Sequence, residues 1–283
     1  MKRSHRGILA AYSKQLFVRD CIDCGYAHLD PLPQAVEKYY ENDRFYREHS
    51  SIDFLHKDII EYKKGFWDAA FGYQIRLLGN LPIIDVGAGT GQFVDYWEKH
   101  CYYEAIGIEP SKLARTLWIA SENSMYSELD KIPPIIDQDI NIRMALVLEH
   151  IDKPEHFISQ YADIMNGGRM MIIVPNEFSP LQKRIGHFHW VSKVHCNYFT
   201  PTSLTNLLEG LGMRVIHKSA TFPMELFILA GIDYRNNDVL GKRVHKIRLN
   251  FEKQFGVSAF RLYKLLFDKF GWGRELIFVV ENA

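Results

Sequence analysis

The chain has 283 residues, of which 47% are hydrophobic, and this is enough for a full globular core. Lysine plus arginine and aspartate plus glutamate both number 34, so no overall electrostatic field favours nucleic acid or an anionic membrane as a partner. No apolar run approaches the roughly 18 residues of a membrane span, and the 4 cysteines do not suggest a disulfide scaffold, so we expect a cytoplasmic protein.

The first 80 residues contain a cysteine knuckle, Cys21-Ile22-Asp23-Cys24-Gly25. Two thiolates at this spacing could form half of a tetrahedral zinc site. His5 and His28 could be further ligands, but their spacing matches no established pattern, so no metal is predicted.

An aromatic-rich stretch follows the knuckle, and residues 34–78 are predicted to be helical. Either this is a helix that covers the sheet, or its aromatic side chains form a lid over a cofactor. The candidate lid residues are Tyr39, Tyr40 and Tyr46.

A buried strand, a glycine turn and the start of a helix occupy residues 81–93. The strand residues are mostly β-branched, as in a parallel strand covered on both faces. Three glycines follow with the spacing G-x-G-x-G, and Asp85 stands two residues before the first of them. The dinucleotide fingerprint G-x-G-x-x-G is not met, because the third glycine arrives one residue early. The turn nevertheless predicts a cofactor beside a helix N-terminus.

The next predicted strand ends at Glu109, 18 residues after Gly91. A carboxylate about 20 positions beyond such a turn is where a nucleoside ribose is bound, although a solvated charge at a strand end is the plain alternative. Ser111 is a plausible N-cap of the following helix. Met125-Tyr126 is predicted as a short third strand, and residues 140–148 as a fourth whose apolar run is interrupted by Asn141 and Arg143.

Two further motifs carry titratable side chains. The first is Val147-Leu148-Glu149-His150-Ile151-Asp152-Lys153-Pro154, whose Glu149 and His150 serve either as acid/base groups or as residues that organise a turn. The second is His187-Phe188-His189-Trp190 followed by His195-Cys196-Asn197-Tyr198-Phe199-Thr200-Pro201. An imidazole with a pKa of about 6.5 can accept a proton from a hydroxyl at neutral pH, so His195 and His189 are candidate general bases.

The C-terminal part contains strands at 213–217 and 273–280, separated by an insertion with two amphipathic helices. Residues 233–275 hold ten Lys/Arg and five Asp/Glu. The insertion is either a packed cap with a solvated basic face or a surface that recognises an anionic acceptor. We therefore divide the chain into an N-terminal segment (1–80), a cofactor-binding core (81–220), a helical cap insertion (221–272) and a final core strand (273–283).

Together, the G-x-G-x-G turn, the V-L-E-H run and the H-x-N-Y-F-T-P stretch resemble class I S-adenosylmethionine (SAM) methyltransferases, and in particular the group of sugar C-methyltransferases and quinone O-methyltransferases. The resemblance implies an α/β fold: a Rossmann-like seven-stranded sheet with helices on both faces, an antiparallel last strand and, in this chain, a helical insertion before that strand. It implies SAM as cofactor, with S-adenosylhomocysteine as product.

The same resemblance implies two sets of site residues. The cofactor-binding residues are Asp85, Gly87, Ala88, Gly89, Gly91, Glu109, Pro110 and Leu148. The catalytic candidates are His195, His189, Glu149 and His150. In some quinone O-methyltransferases an acid three residues before the glutamate makes a metal site; that position is Leu146 here, so no catalytic metal is predicted. The knuckle region resembles the zinc knuckles of some sugar C-methyltransferases, which carry four ligands.

The implied function is methyl transfer from SAM to a small-molecule or glycan-precursor acceptor, most simply to a hydroxyl. Carbon or nitrogen methylation of a sugar nucleotide remains an alternative, as does a SAM-binding regulator or complex subunit without catalysis. The acceptor could be anionic, nucleic acid is not expected, and the oligomeric state is open. The glycine spacing and the V-L-E-H run argue against an NAD or nucleotide-sugar enzyme on a related fold.

Overall fold

A computed structural model of the chain describes residues 5–13, 15–33, 36, 42–44, 47, 57–133, 138–186, 188–189 and 191–283. The candidate lid residues Tyr39, Tyr40 and Tyr46 lie outside these ranges. Of the helix predicted over 34–78, the structure shows α1 at Lys57–Leu78.

Within the described residues, seven strands form the main sheet, in the spatial order β10-β11-β8-β7-β4-β5-β6. Their bounds are β4 Ile83–Val86, β5 Ala105–Ile108, β6 Met125–Tyr126, β7 Asn141–Ala145, β8 Met170–Pro175, β10 Met213–Ala220 and β11 Glu275–Asn282. Strand β11 lies between β8 and β10 and is antiparallel to both, whereas the pairs from β8 to β6 are parallel. The predicted Rossmann-like sheet with an antiparallel last strand is confirmed.

Helices cover both faces of this sheet, as predicted. Their bounds are α2 Gln92–Cys101, α3 Lys112–Thr116, α4 Pro154–Met165, α5 Pro180–Ile185, α6 Pro201–Gly210, α7 Glu225–Leu229, α8 Asp238–Phe255 and α9 Val257–Phe270. Side chains of α1, α2 and α9 share one core cluster with Met171 and Ile173 of β8. Side chains of α4 and α6 share another with Met170 and Ile172. Successive side chains of β8 therefore enter opposite clusters, as the period-2 geometry of a strand buried on both faces requires.

Local sequence signals set the ends of several helices. Ser111 caps α3, since its Oγ accepts from the Ala114 backbone N–H at 3.1 Å. Thr200 caps α6 in a reciprocal capping box with Ser203, with Pro201 at the first helical position. The cap at Ser111 confirms the helix start predicted there.

The C-terminal insertion packs against the sheet face that α1 also covers. Phe260 of α9 is 3% exposed, stacks on Tyr73 of α1 with ring centroids 4.8 Å apart, and contacts Tyr263 at 5.4 Å. Helix α8 buries Val244, but its Ile247 and Phe255 are 46% and 49% exposed. The two predicted amphipathic helices are present, and α9 contributes directly to the main core.

A second sheet, which the sequence did not indicate, is built from the N-terminal segment. Strands β1 Gly7–Ser13, β2 Leu16–Cys21, β3 Ala27–Leu29 and β9 Asn197–Tyr198 form an antiparallel sheet in that order. Strand β9 belongs to the H-x-N-Y-F-T-P stretch, so this sheet brings the start of the chain beside a predicted catalytic motif.

In the described part of the chain, no helix combines the length and the apolar character that a membrane-spanning helix requires.

Replacing Phe260 with alanine tests whether the insertion is part of the core. We expect Phe260→Ala to lower the free energy of unfolding by about 3–5 kcal/mol, because it leaves a cavity between α9, α1 and the sheet. The control Leu265→Ala, on the same helix but 60% exposed, should change it by less than about 0.5 kcal/mol. Urea unfolding curves measure both, and equal midpoints for Phe260→Ala and the wild type would contradict the packing.

Candidate active site

The glycine turn lies at the carboxyl end of β4, where open parallel sheets bind their ligands. Gly87, Gly89 and Gly91 have φ angles of 70°, 59° and 80°, a region that favours glycine. A Cβ at Gly87 would lie 2.5 Å from Cγ2 of Val147, and one at Gly91 would lie 2.8 Å from the Trp118 ring. Glycine is therefore required at 87 and 91 by the packing of the turn as well as by its conformation.

Glu109 follows β5 and joins that strand to the glycine turn. Its side chain is buried, and its Oε2 accepts a hydrogen bond from the Gly89 backbone N–H at 2.8 Å. Its Oε1 accepts another from the backbone N–H of Ser111, also at 2.8 Å. Each carboxylate oxygen has two acceptor directions, so an oxygen that accepts a backbone N–H can also accept a hydroxyl. The predicted ribose-binding carboxylate thus lies beside the predicted cofactor turn.

Asp85 lies beneath the turn and forms a buried ion pair. Its Oδ1 accepts from Nη1 of Arg143 at 2.6 Å. Nε of Arg143 donates to Gln74 at 2.7 Å, and its guanidinium lies 4.1 Å from the centroid of the Phe93 ring. Complete burial raises the pKa of Asp85, and the arginine opposes that rise. Arg143, which interrupts the apolar pattern of β7 in the sequence, is therefore the partner of the motif's aspartate.

The other predicted cofactor residues surround the same turn. The backbone N–H of Ala88 donates to the Ile108 carbonyl at 3.0 Å, and the Pro110 carbonyl accepts from Nη1 of Arg115 at 2.8 Å. The Leu148 side chain is fully buried in the core, so only its backbone is available to a ligand. The structure therefore places all the predicted cofactor residues at the carboxyl ends of β4, β5 and β7 or in the turns that follow.

Glu149, His150 and His195, which belong to two separate sequence motifs, come together beyond β7. One ligand-type atom from each lies within 4.8 Å of the others. The His150 and His195 rings meet edge to face with centroids 4.7 Å apart, and Nε2 of His150 lies 3.9 Å from Oε1 of Glu149. His189, the remaining catalytic candidate, is exposed and does not belong to this group.

Three hydrogen bonds fix the two segments that carry this group. Nδ1 of His150 donates to the Val194 carbonyl at 2.8 Å. In return, Sγ of Cys196 donates to the His150 carbonyl at 3.4 Å, and Nδ2 of Asn197 donates to the Ile151 carbonyl at 2.5 Å. Cys196 and Asn197 were not among the predicted site residues, although they lie inside the H-x-N-Y-F-T-P stretch. Both position the site without belonging to the titratable group.

Burial shifts the pKa values of Glu149 and His150, the two acid/base groups beside β7, in opposite directions. It raises the pKa of Glu149 to about 8 and lowers the pKa of His150 to about 4, because a low-dielectric environment disfavours the charged form of each. Both side chains are consequently neutral over most of the range between these values. In neutral His150 the proton lies on Nδ1, which donates to Val194, so Nε2 is left as the acceptor.

Two groups of described residues have the composition of a metal site. One is Glu149, His150 and His195; the other is His5, Cys21, Cys24 and His28. The first offers three ligand atoms and the second four, so only the second can close a tetrahedral shell by itself. The sequence predicted no metal at either group.

A pocket of about 640 Å³ lies at the opposite end of the main sheet. It is lined by Ile83, Ala105 and Ile140, which begin or precede β4, β5 and β7. Because ligands bind at the carboxyl ends of the strands in this type of sheet, we do not assign the cofactor to this pocket.

The strand order, the glycine turn and the carboxylate after β5 define a protein of the SAM-binding Rossmann-like class. The methyltransferase domain family matches residues 71–218, which are 148 of the 283 residues. The chain belongs to this family: it is a methyltransferase, and its cofactor is SAM. No curated protein sequence matches the chain.

Solved structures share the fold at low sequence identity. A SAM-dependent methyltransferase from Archaeoglobus fulgidus has a TM-score of 0.52 and 17% identity over 82% of this chain and 100% of its own. Phosphoethanolamine N-methyltransferase 2 from Haemonchus contortus, in complex with SAM, has a TM-score of 0.50 and 12% identity over 85% of this chain and 59% of its own. The [4+2]-cyclase SpnF also has a TM-score of 0.50, with 13% identity over 76% of this chain and 80% of its own. The fold alone therefore does not specify the reaction.

Removing the Glu109 carboxylate tests its predicted role in cofactor binding. We expect Glu109→Ala to raise the Kd for S-adenosylhomocysteine at least about a hundredfold. The variant loses the hydrogen bonds that the two ribose hydroxyls are predicted to donate to the carboxylate, and each such bond to a charged acceptor contributes about 1.5–3 kcal/mol. Glu104→Ala is the control, since Glu104 is exposed just before β5. Calorimetric titration measures both, and equal affinity for Glu109→Ala and the wild type would exclude this role.

The buried ion pair predicts a pH-dependent loss of stability. Arg143→Met leaves Asp85 buried without its partner, which should cost about 3–5 kcal/mol near neutral pH. A carboxyl whose pKa is higher in the folded than in the unfolded state binds more protons when folded, so the stability of this variant should fall as the pH rises. Urea unfolding at about pH 5 and about pH 8 measures the difference.

The matched control is the double variant Asp85→Asn with Arg143→Met. It no longer contains a buried carboxylate at position 85, so it should be more stable than Arg143→Met at the higher pH and should not share its pH dependence. The assignment fails if the single variant loses equal stability at both pH values.

Proposed function

We propose that this enzyme methylates a hydroxyl group on a small-molecule or glycan-precursor acceptor, and that His195 accepts the hydroxyl proton. Bound SAM supplies an electrophilic methyl group and leaves as S-adenosylhomocysteine. The observation that carries the proposal is the meeting of Glu149, His150 and His195, which come from two separate motifs, in the segment that follows Val147 and β7.

The backbone of residues 87–91 and the Glu109 carboxylate are proposed to bind the cofactor. Gly87 packs against Val147, the residue directly before Leu148, so this turn adjoins the segment that carries Glu149 and His150. Asp85 is proposed to act indirectly: its ion pair with Arg143 fixes the end of β4, from which the glycine turn begins. Proximity of this kind supports a methyl donor and a proton acceptor that serve the same substrate.

His195 is proposed as the general base, with Glu149 and His150 as positioning residues. Strand β9 begins two residues after His195, and Asn197 fixes that strand to the Ile151 carbonyl. His150 contacts the His195 ring edge to face and is itself oriented by Val194. A base with a fixed ring needs little reorganisation before it accepts a proton, which favours catalysis by positioning.

The composition of the insertion supports an anionic acceptor, such as a phosphate-linked sugar. Ten basic residues against five acidic ones over 233–275 give this part of the chain a positive charge, whereas the whole chain is neutral. A local surplus of this kind attracts anionic ligands.

An acceptor screen with methyl-labelled SAM tests the proposed reaction. The panel contains nucleotide sugars, phospholipid-linked sugars and neutral glycosides or phenols, and the label is followed by mass spectrometry. We expect transfer to a hydroxyl-bearing acceptor, with phosphate-linked members preferred and an O-methyl group identified by NMR. A product methylated only on carbon or nitrogen contradicts the hydroxyl assignment, and preference for neutral acceptors contradicts the anionic one.

Once an acceptor is known, His195→Ala tests the base. We expect kcat to fall by about 10²–10⁴, because a positioned general base contributes this much, while the Kd for S-adenosylhomocysteine stays unchanged. His156→Ala is the control, since His156 is exposed on α4. If His195→Ala keeps the wild-type kcat and His189→Ala instead shows the fall of about 10²–10⁴ in kcat, the base is His189.

A further inference from the structure

We propose that His5, Cys21, Cys24 and His28 form a structural site for one Zn²⁺ ion. One ligand atom from each of the four residues lies within 4.8 Å of all the others. The site belongs to the small sheet, outside the group of residues proposed for methyl transfer. It does not depend on the identity of the acceptor.

The distances from His5 to the two cysteines match those of a tetrahedral shell. With Zn–S bonds of about 2.3 Å and Zn–N bonds of about 2.0 Å, ligand atoms on a tetrahedron are about 3.3–3.8 Å apart. Nδ1 of His5 lies 3.4 Å from Sγ of Cys21 and 3.3 Å from Sγ of Cys24. The His5 and His28 rings are edge to face, with centroids 4.6 Å apart.

His28 provides an independent indication of a ligand. The residue is 1% exposed, and its Nδ1 donates to the Leu29 carbonyl at 2.7 Å, which fixes the tautomer. Nε2 then carries a lone pair, and this buried atom has no hydrogen-bond partner. A metal-binding histidine has this arrangement: one ring nitrogen donates to a carbonyl while the other binds the ion.

The backbone brings the four side chains together from three places in the chain. Gly25, with φ of 77°, closes the knuckle, and its N–H donates to the Cys21 carbonyl at 2.9 Å. Arg6, next to His5, is fixed to the knuckle because its backbone N–H and side chain both donate to Asp23 and its carbonyl accepts from the Ile22 N–H. Strand pairing then positions His28 opposite Arg19.

Two thiolates and two imidazoles in a tetrahedral arrangement favour Zn²⁺ among the common divalent ions. Four protein ligands leave no open coordination position for a substrate, so we assign a structural role to the ion.

The proposed ion would stabilise the segment that carries His195 and leads into β9. His28 is paired in register with Asn197 of β9, and the Leu29 N–H donates to the Cys196 carbonyl at 2.9 Å. Cys196 and Asn197 also hydrogen-bond to the carbonyls of His150 and Ile151. A chain of backbone and side-chain hydrogen bonds therefore leads from His28 to the turn after β7.

Metal analysis of the full-length protein, expressed with zinc in the medium, tests the site. We expect about one zinc per chain by plasma mass spectrometry, and at least about a tenfold lower content in Cys24→Ser and in His28→Gln. Cys101→Ser and His156→Gln are the matched controls, since Cys101 ends α2 and His156 lies on α4, and both should retain wild-type zinc. Zinc content below about a tenth of an equivalent in the wild type, or unchanged in both ligand variants, overturns the proposal.

Substitution with Co²⁺ keeps the proposal testable if a ligand variant fails to fold. Zinc-depleted wild-type protein, reduced and titrated with Co²⁺, should show thiolate-to-cobalt charge transfer and tetrahedral d–d bands that saturate at one equivalent. Absence of these bands, or a Cys21–Cys24 disulfide found by peptide mapping in protein that takes up no metal after reduction, overturns the assignment. Binding of S-adenosylhomocysteine, measured in parallel, should persist, which separates this result from a failure of the proposed function.

Discussion

The arrangement of the candidate site depends on three hydrogen bonds between the turn after β7 and the segment that leads into β9. Each of these segments belongs to a different sheet: the first continues a central strand of the main sheet, and the second becomes the edge of the small sheet. His150 donates across this junction, and Cys196 and Asn197 donate back. Because Cys196 and Asn197 are buried, breaking either of their contacts would leave an unsatisfied polar group inside the protein, which favours this geometry of the junction.

The candidate site has a cofactor half and an acceptor half, and only the acceptor half depends on the junction between the two sheets. The cofactor half is built entirely on the main sheet, where Glu109 links β5 to the glycine turn and the Asp85–Arg143 pair links β4 to β7. The acceptor half needs both sheets, because His195 approaches from the small one. This division explains why the methyl donor follows from a widely shared fold, whereas the proposed acceptor side also depends on strands β1 to β3, which lie outside the matched residues 71–218.

Sequence reasoning succeeded where the controlling interactions are local or periodic. The cap at Ser111 and the glycine turn after β4 both follow from neighbouring residues. It failed at the small sheet, whose strand β1 has a register shift and leaves Ile8 and Leu9 72% and 58% exposed, so no period-2 pattern marks it. Arg143 was read as an interruption because its partner, Asp85, lies 58 positions away. The assembly of His5 with the knuckle likewise depends on strand pairing, which spacing in the sequence does not reveal.

The position of β11 between β8 and β10 has a consequence for synthesis on the ribosome. Strand β10 pairs with β11 and not with β8, so it cannot join the sheet until residues 221–274 and β11 itself have been made. At about 5–20 residues per second, this delay lasts roughly 3–12 s, during which the edge of β8, buried along its whole length in the finished protein, stays open. Helices α8 and α9 need only local contacts and can form in this interval. The length of the insertion thus sets the time for which the nascent sheet depends on protection from aggregation.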